Sequence, residues 1–213
     1  MSGIVMELQK ELLDDNIKLS SSLNKAYVIA RKLNVPELLD FLNCEIRGYT
    51  DTNNLPSYRI TNGVLKGFNP YQGWQSLVIE NDQFAKTMSV VNLTMPIAEI
   101  ESLLDDKDNT SQPRQILPSS LIPKIIGEGF CTQLALFFGS NVLSAVLSTV
   151  RHALLEWTLK LEENGIVGEG LSFTDKEKEI AKTYPQIINI TLGNDGKVNV
   201  SSTDNSSSVK GEK

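Results

Sequence analysis

Residues 141–163, NVLSAVLSTVRHALLEWTLKLEE, decide the class of fold. Leu143, Leu147, Val150, Leu154, Trp157 and Leu161 alternate spacings of four and three, which lines them up as one seam of an α-helix. Val142, Ala145, Val146, Ala153, Leu155 and Leu159 surround that seam. The sequence therefore predicts a long helix buried between layers, with polar exposure growing only toward Lys160, Glu162 and Glu163. The uncharged run 129–150 approaches the roughly 20 residues of a membrane span. Its polar residues Thr132, Gln133, Ser144, Ser148 and Thr149, and the break with a good N-cap at Gly139-Ser140-Asn141, divide it instead into a short apolar segment and a helix start. No membrane association is expected.

Working back from that helix, residues 130–138 read as a buried strand or a lead-in to it, and residues 117–126 as a short helix or irregular segment around Pro118 and Pro123. Residues 105–113 are polar and charged, an exposed loop. Pro96 opens a short helix bearing Ile97, Ile100, Leu103 and Leu104. Residues 58–68, 74–79 and 85–93 have strand character, punctuated by turns at Asn69-Pro70 and Asn81-Asp82. The first fifty residues give three helices. Val5, Leu8 and Leu12 share a face of the first; Ser20-Ser21-Ser22 offers N-caps to the second, lined by Leu23, Ala26, Tyr27, Ala30 and Leu33. Asn34-Val35-Pro36 separates it from a third, whose stripe is Leu38, Phe41, Leu42 and Ile46 and which Gly48 ends.

Downstream, Asn164-Gly165 terminates the long helix and Gly168-Glu169-Gly170 makes a connector. Thr174 and Glu177 form a capping box for a further short helix, stopped by Tyr184-Pro185. Residues 187–192 and 197–200 flank Gly193-Asn194-Asp195-Gly196 as a terminal β-hairpin, and the Ser, Asn and Lys-rich end is expected to be disordered. The expected class is α+β: an N-terminal three-helix segment, a small mixed or antiparallel sheet, a long buried C-terminal helix and a terminal hairpin. The organisation is a domain at residues 1–185, a hairpin appendage at 186–200 and a tail at 201–213.

The 213 residues are 40% apolar and 22% charged with a net charge of −6, enough for one core and too acidic for a basic stripe along a phosphate backbone. There is no strong nucleic-acid signal, although a localised site stays open. Cys44 and Cys131 lie far apart and no signal peptide follows Met1, which points to the reducing cytoplasm. His152 is the sole histidine and neither cysteine belongs to a CxxC, so no zinc set is recognisable and no metal is expected, with a carboxylate-only Mg site as the alternative left open. Neither GxxxxGK[ST] nor GxGxxG is present, and no cofactor is evident. Acidic pairs such as Asp14-Asp15, Asp105-Asp106 and Glu162-Glu163 read as solvation.

Two constellations are candidate catalytic sites. His152 lies one turn from Glu156, a spacing that lets a carboxylate orient an imidazole for acid–base work. With no Ser or Cys nucleophile tied to it, a structural histidine in a half-buried layer is the favoured alternative. Arg151 beside it reads as fold glue, paired with a carboxylate from another layer. The second constellation is Glu45, Arg47, Tyr49, Tyr58 and Arg59 at the junction of the third helix and the first sheet-like segment. It makes either a ligand notch or, as the favoured reading, a corner in which hydroxyls and an arginine fork satisfy buried carbonyls. Phe68, Tyr71 and Trp74 could stack on a base, but without interleaved basic residues they read as core and edge aromatics.

Glu45-x-x-Gly48-Tyr49 followed by Leu55-Pro56-x-Tyr58-Arg59, after a helical pair containing Ala30-Arg31-Lys32-Leu33, resembles the AbiTii domain of bacterial conflict systems. Pro96-Ile97 with Glu101, and Arg151-x-x-Leu154-Leu155-x-Trp157 to Leu161-Glu162 followed by Gly165 and Gly168-Glu169-Gly170, fit the same pattern. The resemblance covers roughly residues 4–184. It implies a setting in abortive infection and phage defence, as a toxin-like effector whose reaction does not carry over. The family often bears an extra C-terminal module, where this chain has a hairpin and a tail; that departure raises the alternative of a non-catalytic adaptor. An isolated two-stranded ribbon is marginal, so the adaptor would meet a protein partner or a second copy through residues 187–200.

Overall fold

The structure is a computed structural model describing residues 3–105, 112–126, 131–183, 191–192 and 198–199. In chain order its elements are α1 (Ile4–Leu13), α2 (Leu19–Leu33), α3 (Pro36–Arg47), a 3₁₀ turn (Ser57–Arg59), β1 (Ile60–Asn62), β2 (Val64–Asn69), β3 (Gly73–Ser76), α4 (Asp82–Met88) and β4 (Val90–Asn92). They continue as α5 (Ile97–Asp105), β5 (Arg114–Leu117), a second 3₁₀ turn (Ser119–Leu121), α6 (Ile122–Ile126), β6 (Gln133–Phe137), α7 (Ser140–Glu163), α8 (Asp175–Thr183), β7 (Thr191–Leu192) and β8 (Val198–Asn199). This is the α+β class read from the sequence. Among the described residues, 3–46, 151–183, 191–192 and 198–199 form a helical unit, and 47–105, 112–126 and 131–150 form a sheet unit.

In the helical unit, Ile4, Val5, Leu8 and Leu12 of α1 and Leu19, Leu23, Ala26, Ile29, Ala30 and Leu33 of α2 are buried, as their spacing requires. The serine cap does not form. Helix α2 begins at Leu19, behind Lys18 and without a side-chain cap, because including the fully buried Leu19 in the first turn draws the start ahead of the serines. It ends where expected, at Asn34 in the left-handed region (φ 59°). On α3 the buried residues are Leu38, Leu39, Leu42 and Glu45, whereas Phe41 and Ile46 are half-buried, so the covered stripe is rotated from the expected one.

Helix α7 contributes residues 140–150 to the sheet unit and 151–163 to the helical unit. Leu143, Val146, Val150, Ala153, Leu154, Trp157 and Leu161 are buried along it, while Ser144, Ala145, Ser148, His152 and Leu159 are exposed. Exposure is therefore not confined to the end near Lys160, as the sequence suggests: scattered apolar residues such as Ala145 and Leu159 face water singly, which is ordinary for a surface. Arg151 Nη1 donates to the carbonyls of Leu12 (3.0 Å) and Asp14 (3.4 Å), and Nη2 to that of Ile17 (3.1 Å). It is fold glue on backbone carbonyls of the last turn of α1 and of the α1–α2 connection, not on the expected carboxylate. The Thr174–Glu177 capping box opens α8 as expected, Glu177 N–H donating to Thr174 Oγ1 at 3.2 Å. Strands β7 and β8 pair antiparallel, Thr191 opposite Asn199 and Leu192 opposite Val198. The rest of the hairpin reading, the tail at 201–213 and loop residues 106–111 lie outside the described residues.

The sheet unit holds an antiparallel pair, β1 with β4, and an antiparallel sheet in the order β3-β2-β6-β5. Strand β6 settles the ambiguity at residues 130–138 in favour of a strand. Two segments depart from the sequence reading. Residues 85–93 are not one strand: Asn81 Oδ1 accepts from Phe84 N–H at 2.9 Å and caps α4, leaving only Val90–Asn92 to pair. Arg114–Leu117 is a strand, β5, because it finds β6 as a partner, which no local pattern announces.

Gly48, just past α3, has φ +87°, and a side-chain carbon there would lie 2.7 Å from Thr94 O. Tyr49 N–H donates to that same carbonyl at 2.8 Å, so the oxygen is held in place. Gly48→Ala is expected to lose about 1–3 kcal/mol of stability in urea denaturation. A loss under about 0.5 kcal/mol would show that residues 94–96 yield instead.

Candidate functional site

The structure brings Tyr49, Tyr58 and Arg59 together within the sheet unit. Pro56 starts the 3₁₀ turn and places Arg59 at its end, facing residues 93–95. Arg59 is fully buried; its Nη1 donates to Leu93 O at 3.1 Å and Met95 O at 2.6 Å. Its guanidinium carbon lies 5.1 Å from the Tyr49 ring centroid, and the Tyr49 and Tyr58 hydroxyls are 3.2 Å apart. Leu93 N–H donates back to Arg59 O at 2.8 Å. Arg59 serves carbonyls as the corner reading has it, from residues 93 and 95 instead of the vicinity of Gly48 and Pro56, while the two tyrosine hydroxyls face each other. Glu45 is buried on α3 in the helical unit, and Arg47 is exposed at its end.

His152 and Glu156 are neighbours on the surface of α7, Nε2 to Oε1 3.9 Å, with side chains 60% and 37% exposed. The half-buried structural histidine is therefore corrected: the position falls on the open side of the helix, where imidazole and carboxylate are hydrated. Among the described residues no group of three His, Cys, Asp or Glu side chains gathers as a metal set, and no helix is long and apolar enough to cross a membrane.

A cavity of about 360 Å³ in the helical unit is lined by Gly165, Val167, Gly168, Lys176, Glu177 and Ile180, among others. Its carboxylate is committed to the fold. Glu177 Oε1 accepts from Val167 N–H (3.0 Å) and Gly168 N–H (2.8 Å), and Oε2 from Thr174 N–H (2.7 Å) and Thr174 Oγ1 (2.8 Å). Burial acts to raise the Glu177 pKa, but the donors on Gly168, Thr174 and Val167 outweigh it and hold the carboxyl below its ordinary value. An acid so bound is a loop anchor with no oxygen left for a substrate.

One face of the four-stranded sheet carries groups that the sequence reading did not assemble. The registers put Val64, Lys66 and Phe68 of β2, Trp74 and Ser76 of β3, Gln133, Ala135 and Phe137 of β6, and Arg114 and Ile116 of β5 on the same side. Leu65, Gly67, Leu134 and Leu136 face the other way and are buried, with Cys131, Leu77 and Ile126 over Gly67; on the first side Ala135 and Phe137 of the central strand are buried too, beneath the longer side chains around them, and the exposure is at Val64, Ser76, Gln133, Arg114 and Ile116. On the first side Phe68 and Trp74 are 5.3 Å apart between centroids, and Trp74 meets Phe137 edge-on at 5.1 Å. Lys66 Nζ sits 4.5 Å over Phe137, and the Arg114 guanidinium is 5.5 Å from Trp74 and 5.7 Å from Phe137. The interleaved basic residues missing from the sequence reading of Phe68 and Trp74 are thus supplied across the strands. Val64 and Ile116 are 53% and 55% exposed on this side. The alternation at residues 64–68 is the one local signal for this face; Arg114 has none, its strand showing no pattern of its own.

The model of the AbiTii family matches residues 3–186. No curated protein and no solved structure matches the chain.

Proposed function

From the premise that the chain belongs to the AbiTii family, an abortive-infection domain family, we propose that it serves bacterial anti-phage defence in the cytoplasm as a binding component. The working surface of this reading is the open sheet face of Lys66, Phe68, Trp74 and Arg114. The observation that carries it is the pair of cations laid on the buried Phe137 ring and the half-buried Trp74 ring, with no carboxylate at any register position of that face. Arg59, by contrast, is fully buried and donates from Nη1 to two backbone carbonyls, which supports a structural place for it.

A second reading, the toxin-like effector, is favoured by one feature: His152 and Glu156 stand side by side where a substrate can reach them. Growth under tightly controlled expression, with plaque counts after phage challenge, separates the two. The binding reading expects no growth arrest that His152→Ala relieves, and loss of plaque protection in Lys66→Glu/Arg114→Glu at matched soluble levels. Growth arrest relieved by His152→Ala with the face variant still protective would select the effector. Truncation after residue 185 reports on pairing through β7 and β8.

A further inference from the structure

We propose that the open sheet face binds single-stranded nucleic acid, with bases stacked on Phe68 and Trp74 and phosphates held by Lys66 and Arg114. The inference rests on the reading of this face as the working surface and names its ligand. Phe68 and Trp74 are half-buried on adjacent strands, so part of each ring remains accessible. An antiparallel sheet with accessible aromatics on neighbouring strands offers stacking places for about two or three unpaired bases.

The cations have matching geometry. A guanidinium stacked on a ring still points its edge N–H groups outward, where they can form a forked pair with a phosphate. Among the described residues neither Arg114 nor Lys66 has a carboxylate partner. The chain as a whole has 26 acids to 20 bases, yet this face has two bases and no acid, so it is complementary to an anion against the sign of the molecule. The same charges argue against a second copy as occupant, since a two-fold self-interface would crowd Lys66 and Arg114 of both copies into one desolvated layer. Paired bases keep their ring faces inside the duplex, which selects the single strand.

The test uses the full chain and a fluorescein-labelled dT12, followed by anisotropy and by tryptophan emission. Trp157, the other tryptophan, is 2% exposed, so quenching on binding reports Trp74. Expected is a Kd of about 10⁻⁴–10⁻⁶ M at physiological salt, with a slope of log K against log salt near −1.4 for two neutralised phosphates. Trp74→Ala weakens binding about tenfold, and Trp74→Phe recovers most of that while losing the quench. Lys66→Gln/Arg114→Gln brings the salt slope toward zero, an effect that misfolding would not mimic while the far-UV spectrum stays native. Replacing dT12 by rU12 is expected to change little, because stacking does not read the sugar.

The proposal is overturned by no anisotropy change up to about 10⁻⁴ M protein. Equal affinity for a 12-base-pair duplex overturns it too, as does a folded Trp74→Ala that binds like wild type. A dimer that Trp74→Ala abolishes would give the face to a second copy and also overturn it. If dT12 fails to bind but the face variant still loses plaque protection, the ligand is wrong and the surface right. If dT12 binds but the face variant still protects, the ligand is right and the role of this face in defence is wrong.

Discussion

Replacing Arg59 with alanine is expected to remove about 3–5 kcal/mol of stability from the sheet unit, enough to unfold it near physiological temperature. The side chain is fully buried, and its fork is what satisfies Leu93 O and Met95 O. Alanine leaves both carbonyls without that donor, each costing about 1–3 kcal/mol, and adds a void against the Tyr49 ring. Arg59→Lys should recover only part of the loss, because an ammonium has N–H groups for both carbonyls but does not lie flat on the Tyr49 ring. Urea midpoints of the three proteins measure this directly. A catalytic Arg59 makes the opposite prediction, an inactive alanine variant of wild-type stability. Loss of function in Arg59→Ala therefore means little unless its folded fraction is measured in the same sample.

How much of the molecule is legible in the sequence follows from the range of each signal. The seam of α7, the stop at Asn34, the glycine past α3 and the Thr174–Glu177 box all lie within a few residues of what they specify, and the structure has each of them. The cap on α4 is equally local, yet the β-compatible residues after it speak more strongly than Asn81 does. Arg59 reads as a fork on buried carbonyls, and it is one; which carbonyls depends on the β1–β4 pairing that brings residue 93 beside it. The sheet face lies beyond local reading altogether. Lys66 and Trp74 share a side through β2–β3, but Arg114 joins them only because β6 lies between β2 and β5. Pairing order is a property of the whole chain, and period-two alternation in one strand carries no record of its neighbours.

Glu177→Gln is the second large effect, about 2–4 kcal/mol, although it changes a single atom. Each carboxylate oxygen accepts two donors: Val167 N–H and Gly168 N–H on one, Thr174 N–H and its hydroxyl on the other. Whichever oxygen becomes the amide NH₂ then faces backbone N–H groups that cannot turn away. The loop cannot easily move to relieve this, because Gly168 has φ +69° and a side-chain carbon there would already lie 2.9 Å from the Phe173 ring. The sign of the pH dependence is fixed by the same contacts. The folded carboxyl sits below its ordinary value of 4.5, so its stabilisation is complete above that pH and is lost as pH falls through the lower folded value. The gap in urea midpoint between wild type and Glu177→Gln should therefore be full at neutral pH and shrink on acidification. A gap that stays constant would show that the ionised carboxylate is not what anchors residues 167–174. Thr174→Val adds an independent check, since the hydroxyl both caps α8 and donates to Glu177. Its loss of about 1–2 kcal/mol should be much reduced when Glu177 is already glutamine, the non-additivity expected of two groups in one hydrogen-bonded box.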